Sequence, residues 1–225
     1  ASNVTVNDGN GGGNYIVTYA SNNSSTITPY TVDLTGSRVY DGSTDADAGI
    51  FALSGLVGQE TLGLIGTGQI GNAHVTYANN TPLSQTLSSL GTLTLTDGAN
   101  GGASLNYKLV GGTHSVTVNP RTLTFSATVP AKIYDGNTAI QVSNLVLDNQ
   151  VAGEQLDLIY NPFANFNNKT AGENKPVTIT NILVQSTATA RSSDYIPLPT
   201  TYQARATVFK KDITVVGVVA TDKIY

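Results

Sequence analysis

The chain has 225 residues, a formal net charge of −4 and a pI near 4.9. Charged residues make up only 12% of it and Lys and Arg form no cluster, which argues against nucleic-acid binding, because that binding uses clustered cations to displace counterions. The chain has no Cys, and no apolar run approaches the roughly 20 residues of a transmembrane helix. We therefore expect a segment that neither forms disulfides nor inserts into a membrane.

Three short markers recur with a common period of about 91 residues, which is the size of a small domain. The first is a basic residue, an apolar residue and then Tyr-Asp-Gly, at 38–42 and 132–136, with a third copy that reads Lys223-Ile224-Tyr225. The second is a pair that ends in Tyr: Asn14-Tyr15, Asn106-Tyr107 and Asp194-Tyr195. The third is the module junction, at which a new alternating run follows Thr26-Ile27-Thr28-Pro29, Thr117-Val118-Asn119-Pro120 and Thr207-Val208-Phe209-Lys210. Three markers with one period indicate tandem repeats.

The markers divide the chain without an intervening linker. We predict the tail of a preceding repeat over 1–28, one complete repeat over 29–119, a second over 120–209, and the first strand of a following repeat over 210–225. The two complete repeats are called module 1 and module 2 below.

Within each module, apolar residues alternate with Thr and other small polar residues, a pattern typical of half-buried strands. The clearest runs are 92–96, 115–118, 122–129, 177–184 and 214–216. Residues 46–60 are ambiguous: they could hold a turn of helix, but three glycines favour strand and loop. We predict all-β, antiparallel modules of about seven short strands each, arranged end to end as a rod.

In the first marker, Asp-Gly is typical of a tight turn, and we predict a hairpin there with the tyrosine packed as a corner. A residue set that recurs in every module serves the fold more plausibly than one ligand. The predicted structural-motif residues are Tyr40, Asp41, Gly42, Tyr134, Asp135 and Gly136, with Tyr15, Tyr107 and Tyr195 of the second marker.

The order of motifs in module 2 resembles the YDG-motif repeats of large bacterial surface adhesins, including filamentous-haemagglutinin-type exoproteins of two-partner secretion systems. The resemblance rests on 132–136, the Gly153-Glu154 pair, the Phe-containing loop 163–172 and Asp194-Tyr195. Antiparallel modules of this kind can form a β-sandwich, and the resemblance implies a β-grasp-like fold as the alternative. One departure is that the paired acid expected after the mid-module glycine is a single carboxylate, Glu60 or Glu154, in each copy.

The resemblance implies a structural stalk segment of a secreted bacterial cell-surface adhesin, which extends a distal binding region and supports adhesion or biofilm formation. Its partners would be the neighbouring repeats of the same long chain. The absence of Cys fits a bacterial extracellular protein better than an animal one, because small extracellular domains of animals usually contain disulfides.

Two alternatives stay open at this point. The first is a carbohydrate-binding module that recognises a host glycan or a biofilm polysaccharide by stacking sugars on Phe163, Phe166 and Tyr202. The second is a self-associating module that forms fibres through exposed edge strands.

Nothing in the chain predicts catalysis. His74 and His114 both lie in module 1 without a counterpart in module 2, and no nucleophile motif or phosphate-binding loop occurs. Asp41, Asp45 and Asp47 gather oxygens in one loop, but their spacing is not that of an EF-hand. We therefore expect no enzyme activity, no cofactor and no metal site.

Overall fold

The structure is a computed structural model that describes residues 6–21 and 24–225. In module 1 the strands β1 to β12 are Tyr30–Thr31, Asp33–Val39, Asp45–Asp47, Phe51–Ser54, Leu62–Ile65, Thr67–Ile70, Tyr77–Ala78, Thr81–Pro82, Ser84–Ser89, Thr94–Asp97, Tyr107–Lys108 and His114–Asn119. In module 2 the strands β13 to β23 are Arg121–Thr122, Thr124–Thr128, Lys132–Ile133, Ala139–Gln141, Asn144–Asp148, Asp157–Ile159, Phe163–Phe166, Gly172–Thr180, Leu183–Gln185, Tyr195–Ile196 and Thr201–Phe209.

Helical structure is confined to short 3₁₀ turns in the part of the chain that the structure describes. They span Ala48–Ile50, Ser104–Asn106 and Ser192–Asp194. The first lies inside the ambiguous segment 46–60, which is otherwise strand and loop. None of these turns has the length of a membrane-crossing helix. The prediction of an all-β chain is confirmed.

The main sheet of each module is mixed, so the prediction of purely antiparallel modules is wrong. In module 1 the strand order is β3-β6-β9-β12-β2-β4, and in module 2 it is β15-β23-β20-β19-β16. The motif strand pairs in parallel with the last strand of its module, β2 with β12 and β15 with β23. Local alternation specifies which face of a strand is buried, but it does not specify the direction of the neighbouring strand. A parallel pair also requires a long crossover connection, and here the rest of the module supplies it.

This topology also corrects the predicted hairpin at the Tyr-Asp-Gly motif. The strands on either side of the motif, β2 and β3 in module 1, lie apart in the six-stranded sheet, and β15 and β16 lie at opposite edges of the five-stranded sheet. The motif is therefore a corner at which the chain leaves one part of the sheet for another.

Every strand pairing among the described residues joins two strands of the same module. The strand predicted within 210–225 does not form, and these residues are exposed. Its counterparts β1 and β13 each pair with a strand near the end of their own module, β11 and β22. No such strand lies beside 210–225 in the described structure.

Among the described residues, three apolar clusters form the core. One lies in module 1 around Val32 and Leu34, and one lies in module 2 around Val177 and Ile179. The third is shared by the two modules. Its buried members are Tyr40, Ala46, Ile70, Val75, Val116 and Val118 from module 1 and Leu123, Leu147, Leu156, Ala190 and Tyr195 from module 2. Apolar packing is therefore continuous across the junction.

Candidate functional site at the module junction

The Tyr-Asp-Gly corner is stabilised by its own aspartate. In each copy the carboxylate accepts a hydrogen bond from the backbone N–H two residues later, Ser43 to Asp41 and Asn137 to Asp135, both at 2.9 Å. The basic residue three positions earlier donates to the same carboxylate, Arg38 in module 1 and Lys132 in module 2. The hydrogen bond from Lys132 lowers the pKa of Asp135. Both carboxylates therefore have their hydrogen-bond partners within the turn itself.

The glycine of each corner adopts a left-handed backbone conformation, with φ of +81° at Gly42 and +83° at Gly136. Side chains with a Cβ avoid this region, so the third position of the motif favours glycine.

Each module contains the same tyrosine–glutamate pocket, built from the second marker and the mid-module acid. In module 1, the hydroxyl of Tyr107 donates to Glu60 and accepts from the backbone N–H of Val57 at 3.0 Å. In module 2, the hydroxyl of Tyr195 donates to Oε2 of Glu154 at 2.5 Å and accepts from the N–H of Val151 at 3.0 Å.

At the junction, Tyr40 of module 1 enters the tyrosine–glutamate pocket of module 2. It is 1% exposed and donates a hydrogen bond to Oε1 of Glu154. Its ring lies edge-on to that of Tyr195, with centroids 5.7 Å apart and planes at 79°, which is a favourable aromatic geometry. One carboxylate thus accepts from two phenols, one from each module.

Asp194 provides a second set of contacts across the junction. It is fully buried, and it accepts hydrogen bonds from the backbone N–H of Val75 at 2.8 Å and from Nδ1 of His74 at 2.6 Å. The His74 ring also stacks on Tyr40 with centroids 6.0 Å apart. A buried carboxylate is costly without such partners, and here module 1 supplies two. Tyr77 of module 1 adds a hydrogen bond to the carbonyl of Ser193 at 2.8 Å.

The junction phenols are neutral donors over a wide pH range. Burial, together with the hydrogen bond to Glu154, raises the pKa of Tyr195 to about 12. The same two causes raise the pKa of Tyr40 further. Both tyrosines therefore stay protonated well above neutral pH and continue to donate hydrogen bonds to Glu154.

The structure separates the aromatic residues proposed to stack on a sugar. Phe163 and Phe166 lie on opposite faces of β19, with Phe163 57% exposed and Phe166 3% exposed in the core. Tyr202 is half-buried and packs edge-on against Phe125, with ring centroids 4.7 Å apart. Only Phe163 offers an exposed ring, so the three residues do not form one stacking platform.

The remaining residues singled out from the sequence lie elsewhere. Tyr15 is exposed in the segment before module 1 and belongs to no strand. Asp45 and Asp47 accept hydrogen bonds from Gln69 at 2.5 Å and Thr67 at 2.7 Å. Among the described residues, no three His, Cys, Asp or Glu side chains are grouped as a metal site.

Sequence reasoning missed the pairing of Tyr40 with Glu154 and of His74 with Asp194. The sequence did contain a signal for the pairing of Tyr40 with Glu154. A glutamate follows the mid-module glycine in both repeats, and it recurs with the same period as the two tyrosine markers. Nothing in the repeat pattern identifies the partner of a histidine that occurs in one module only.

Residues 119–204, which make up most of module 2, match the family model of the YDG domain. No curated protein and no solved structure matches the chain.

Proposed function

We propose that this chain is a structural spacer, a stalk segment of a secreted bacterial cell-surface adhesin, in which successive repeats are locked together at their junctions. It would hold a distal binding region away from the cell and support adhesion or biofilm formation. Its role would be mechanical, without catalysis.

The observation that carries the proposal is the burial of Tyr40 in the pocket of the next repeat. A chain of repeats joined by free linkers would bend at every junction. Here the motif tyrosine is 1% exposed and hydrogen-bonded to Glu154, and a second contact joins His74 to Asp194. The conspicuous motif of the repeat thus serves the contact with its neighbour, as a spacer requires.

Three further properties support the proposal. Residues 119–204 match the YDG domain, and the motifs of the chain resemble those of adhesin repeats. The surface holds few charged residues, which suits a stalk that does not bind its surroundings. The chain contains no Cys, as is common in long extracellular repeat proteins of bacteria.

The spacer proposal is tested by measuring the distribution of distances between the modules. The chain lacks Cys, so Thr94→Cys and Thr201→Cys give one exposed spin-label site in each module. Pulsed electron paramagnetic resonance should yield a single narrow distance, and adding Tyr40→Ala should broaden it. Phe163→Ala, which alters an exposed aromatic away from the junction, is the matched control and should leave the distance unchanged. A broad distribution in the otherwise unaltered chain would refute a locked junction.

One observation favours a second function, carbohydrate binding: the ring of Phe163 is exposed. A glycan array and a panel of polysaccharides, probed with the full chain, test it directly. Saturable binding that is lost in Phe163→Ala would replace the spacer with a receptor-binding module. Absence of binding would leave the spacer as the better account.

A further inference from the structure

In module 1, the strand before the Tyr-Asp-Gly corner lies beside the last strand of the module and runs in the same direction. β2 pairs with β12 along the whole length of β12. At one end of the pair, the N–H of Leu34 donates to the carbonyl of Thr113 at 3.1 Å. At the other end, the N–H of Tyr40 donates to the carbonyl of Asn119 at 2.8 Å. The chain enters module 1 on the side where β2 begins and passes into module 2 where β12 ends.

This arrangement determines how tension along the chain loads module 1. Tension pulls β2 towards its beginning and β12 towards its end, so the two strands are sheared past each other. The hydrogen bonds of a parallel pair are evenly spaced, and under shear they carry the load together. If both strands were pulled from the same end, the bonds would break one after another. We call the pair of β2 and β12 the clamp of module 1.

The clamp of module 1 lies inside its sheet. β2 has a paired strand on both sides, β12 on one and β4 on the other. Three of the side chains that the clamp strands contribute to the core, Leu34, Val116 and Val118, are fully buried. Water therefore has little access to the hydrogen bonds that tension would load.

The corresponding clamp of module 2 is much shorter. β15 pairs with β23 only at Lys132 and Ile133, and it lies at the edge of the five-stranded sheet, where Ile133 is 61% exposed. The strand before it, β14, pairs with β17 in a separate sheet. Tension on module 2 must therefore pass from β14 to β23 largely through side-chain packing, which slides more readily than aligned hydrogen bonds. The short parallel pairs β1 with β11 and β13 with β22 are equivalent, so the modules differ in the clamp.

The sequence explains why the two clamps differ. Pro130 of module 2 stands where module 1 has Gly36, each four residues before the motif tyrosine. Gly36 pairs with Val116 within the clamp of module 1. Proline has no backbone N–H, so it interrupts a strand pairing at this position. The segment that leads to the motif is also longer in module 2, 123–131 against 32–37.

We propose that module 1 bears tension along the chain and that module 2 yields first. The inference rests on the proposed spacer function, but it concerns resistance to stretching and not bending at the junction. Unfolding of module 2 would add up to about 3.3–3.6 Å of length per residue and so lower the tension on the rest of the chain. Module 1 would stay folded at that tension. The two repeats thus form a strong link and an extensible link in series.

The test is single-molecule stretching of the full chain with optical tweezers. The chain has no Cys, so a pair of introduced cysteines defines the two points at which handles attach. Thr28→Cys with Thr122→Cys loads module 1, and Thr122→Cys with Lys210→Cys loads module 2; all three positions are exposed. At one loading rate module 1 should unfold at about twofold higher force or more, because forced unfolding is governed by the unfolding barrier. Stretching between residues 28 and 210 should give two steps, the first at the force of module 2.

The control changes the direction of pulling and leaves the module intact. Thr113→Cys, combined with Thr28→Cys, loads the beginnings of β2 and β12, which lie at the same end of the clamp. The clamp is then unzipped, and module 1 should unfold at about half the force of the sheared pair or less. Thr113 and Thr122 are both exposed, and urea denaturation should show that the two double variants are equally stable. A difference in force then reports the direction of loading and not a loss of folding.

Equal unfolding forces for the two modules would overturn the proposal, and so would a higher force for module 2. Equal forces for the sheared and unzipped directions of module 1 would show that the β2–β12 pair is not a clamp. None of these results bears on the distance distribution across the Tyr40 junction. Failure of the tension proposal and failure of the spacer proposal are therefore distinguishable.

Discussion

The hydroxyl of Tyr40 illustrates how much the junction depends on single atoms. The ring could pack against Tyr195 without it, but the second oxygen of Glu154 would then lose its partner from module 1. Removing the donor to a partly buried carboxylate oxygen lowers the free energy of unfolding by more than the average contribution of a hydrogen bond, because water does not fully replace the donor.

Tyr40→Phe should therefore lower the free energy of unfolding by about 1–3 kcal/mol, the range for a hydrogen bond to a charged group with one partner removed. Urea denaturation followed by circular dichroism measures the change. Tyr15→Phe removes the same atom from a 60% exposed tyrosine and should change stability by less than about 0.5 kcal/mol. Equal effects of the two substitutions would contradict the role given to the Tyr40 hydroxyl.

The raised tyrosine pKa values predict a loss of stability at alkaline pH. Tyr195 has a pKa of about 12 in the folded protein, against 10.0 for an unperturbed tyrosine. Below pH 10 the phenol is protonated in both states, so its contribution is fully present. As the pH rises from 10 towards 12, the unfolded state loses the proton while the folded state keeps it, and folding weakens.

Melting temperatures measured between pH 8 and pH 12 should accordingly be flat at first and fall above pH 10. Phenolate absorbance should reach its full value at a higher pH in the folded chain than in the chain unfolded in urea, because the pKa values of Tyr40 and Tyr195 are raised by folding. In Tyr195→Phe the fall should be shallower. Ionisation of all tyrosines near pH 10 without loss of structure would disprove the assignment.

The Tyr-Asp-Gly corner occurs twice, which gives a natural comparison at the level of the turn. Gly42 and Gly136 have nearly the same φ, but a Cβ at Gly42 would lie 2.9 Å from Cγ1 of Val151, whereas at Gly136 it would meet nothing within 4 Å. An alanine at either position would adopt the same unfavourable backbone conformation. Only at Gly42 would its Cβ also contact the neighbouring module.

Gly136→Ala should therefore cost about 1–2 kcal/mol, the price of a left-handed conformation for a residue with a Cβ. Gly42→Ala should cost about 1–3 kcal/mol more, because overpacking against a stiff valine is added. A double-mutant cycle with Val151→Ala should recover part of that excess for Gly42→Ala and none for Gly136→Ala. If the two alanine variants are equally stable, close packing of Gly42 against module 2 does not contribute to stability.

The strands show what sequence patterns can and cannot supply. Alternation over 115–118 and 177–180 predicts strands that the structure contains, because the side-chain period is a local property. The parallel pairing of β2 with β12 could not be foreseen, since it depends on how the whole module folds back on itself. The run at 214–216 has the same local pattern, but it forms no strand without a partner. The same distinction applies to the candidate site. The sequence shows that Tyr40 and Glu154 each have a counterpart in the other repeat, but the contact between them forms only when two modules pack together.

Across the whole molecule, the shared core cluster makes each module part of the environment of the other. Tyr40, Val75 and Val118 of module 1 pack in the same cluster as Leu147 and Tyr195 of module 2. Unfolding of either module would expose the apolar surface of its neighbour. Repeat proteins with such interfaces unfold cooperatively to the extent that the interface energy exceeds the difference in stability between the repeats.

We therefore expect differential scanning calorimetry of the full chain to show one transition, with equal calorimetric and van't Hoff enthalpies as two-state unfolding requires. Tyr40→Ala removes a buried aromatic side chain from the junction, at a cost of about 3–5 kcal/mol, and should split the transition into two. Ile179→Val trims a fully buried residue in the separate core of module 2 and should cost about 0.5–1.5 kcal/mol. This control should lower the melting temperature and keep the single transition. Two transitions in the unaltered chain would mean that the junction is too weak to couple the modules, whereas a single transition in Tyr40→Ala would mean that the coupling runs through other contacts such as His74 with Asp194.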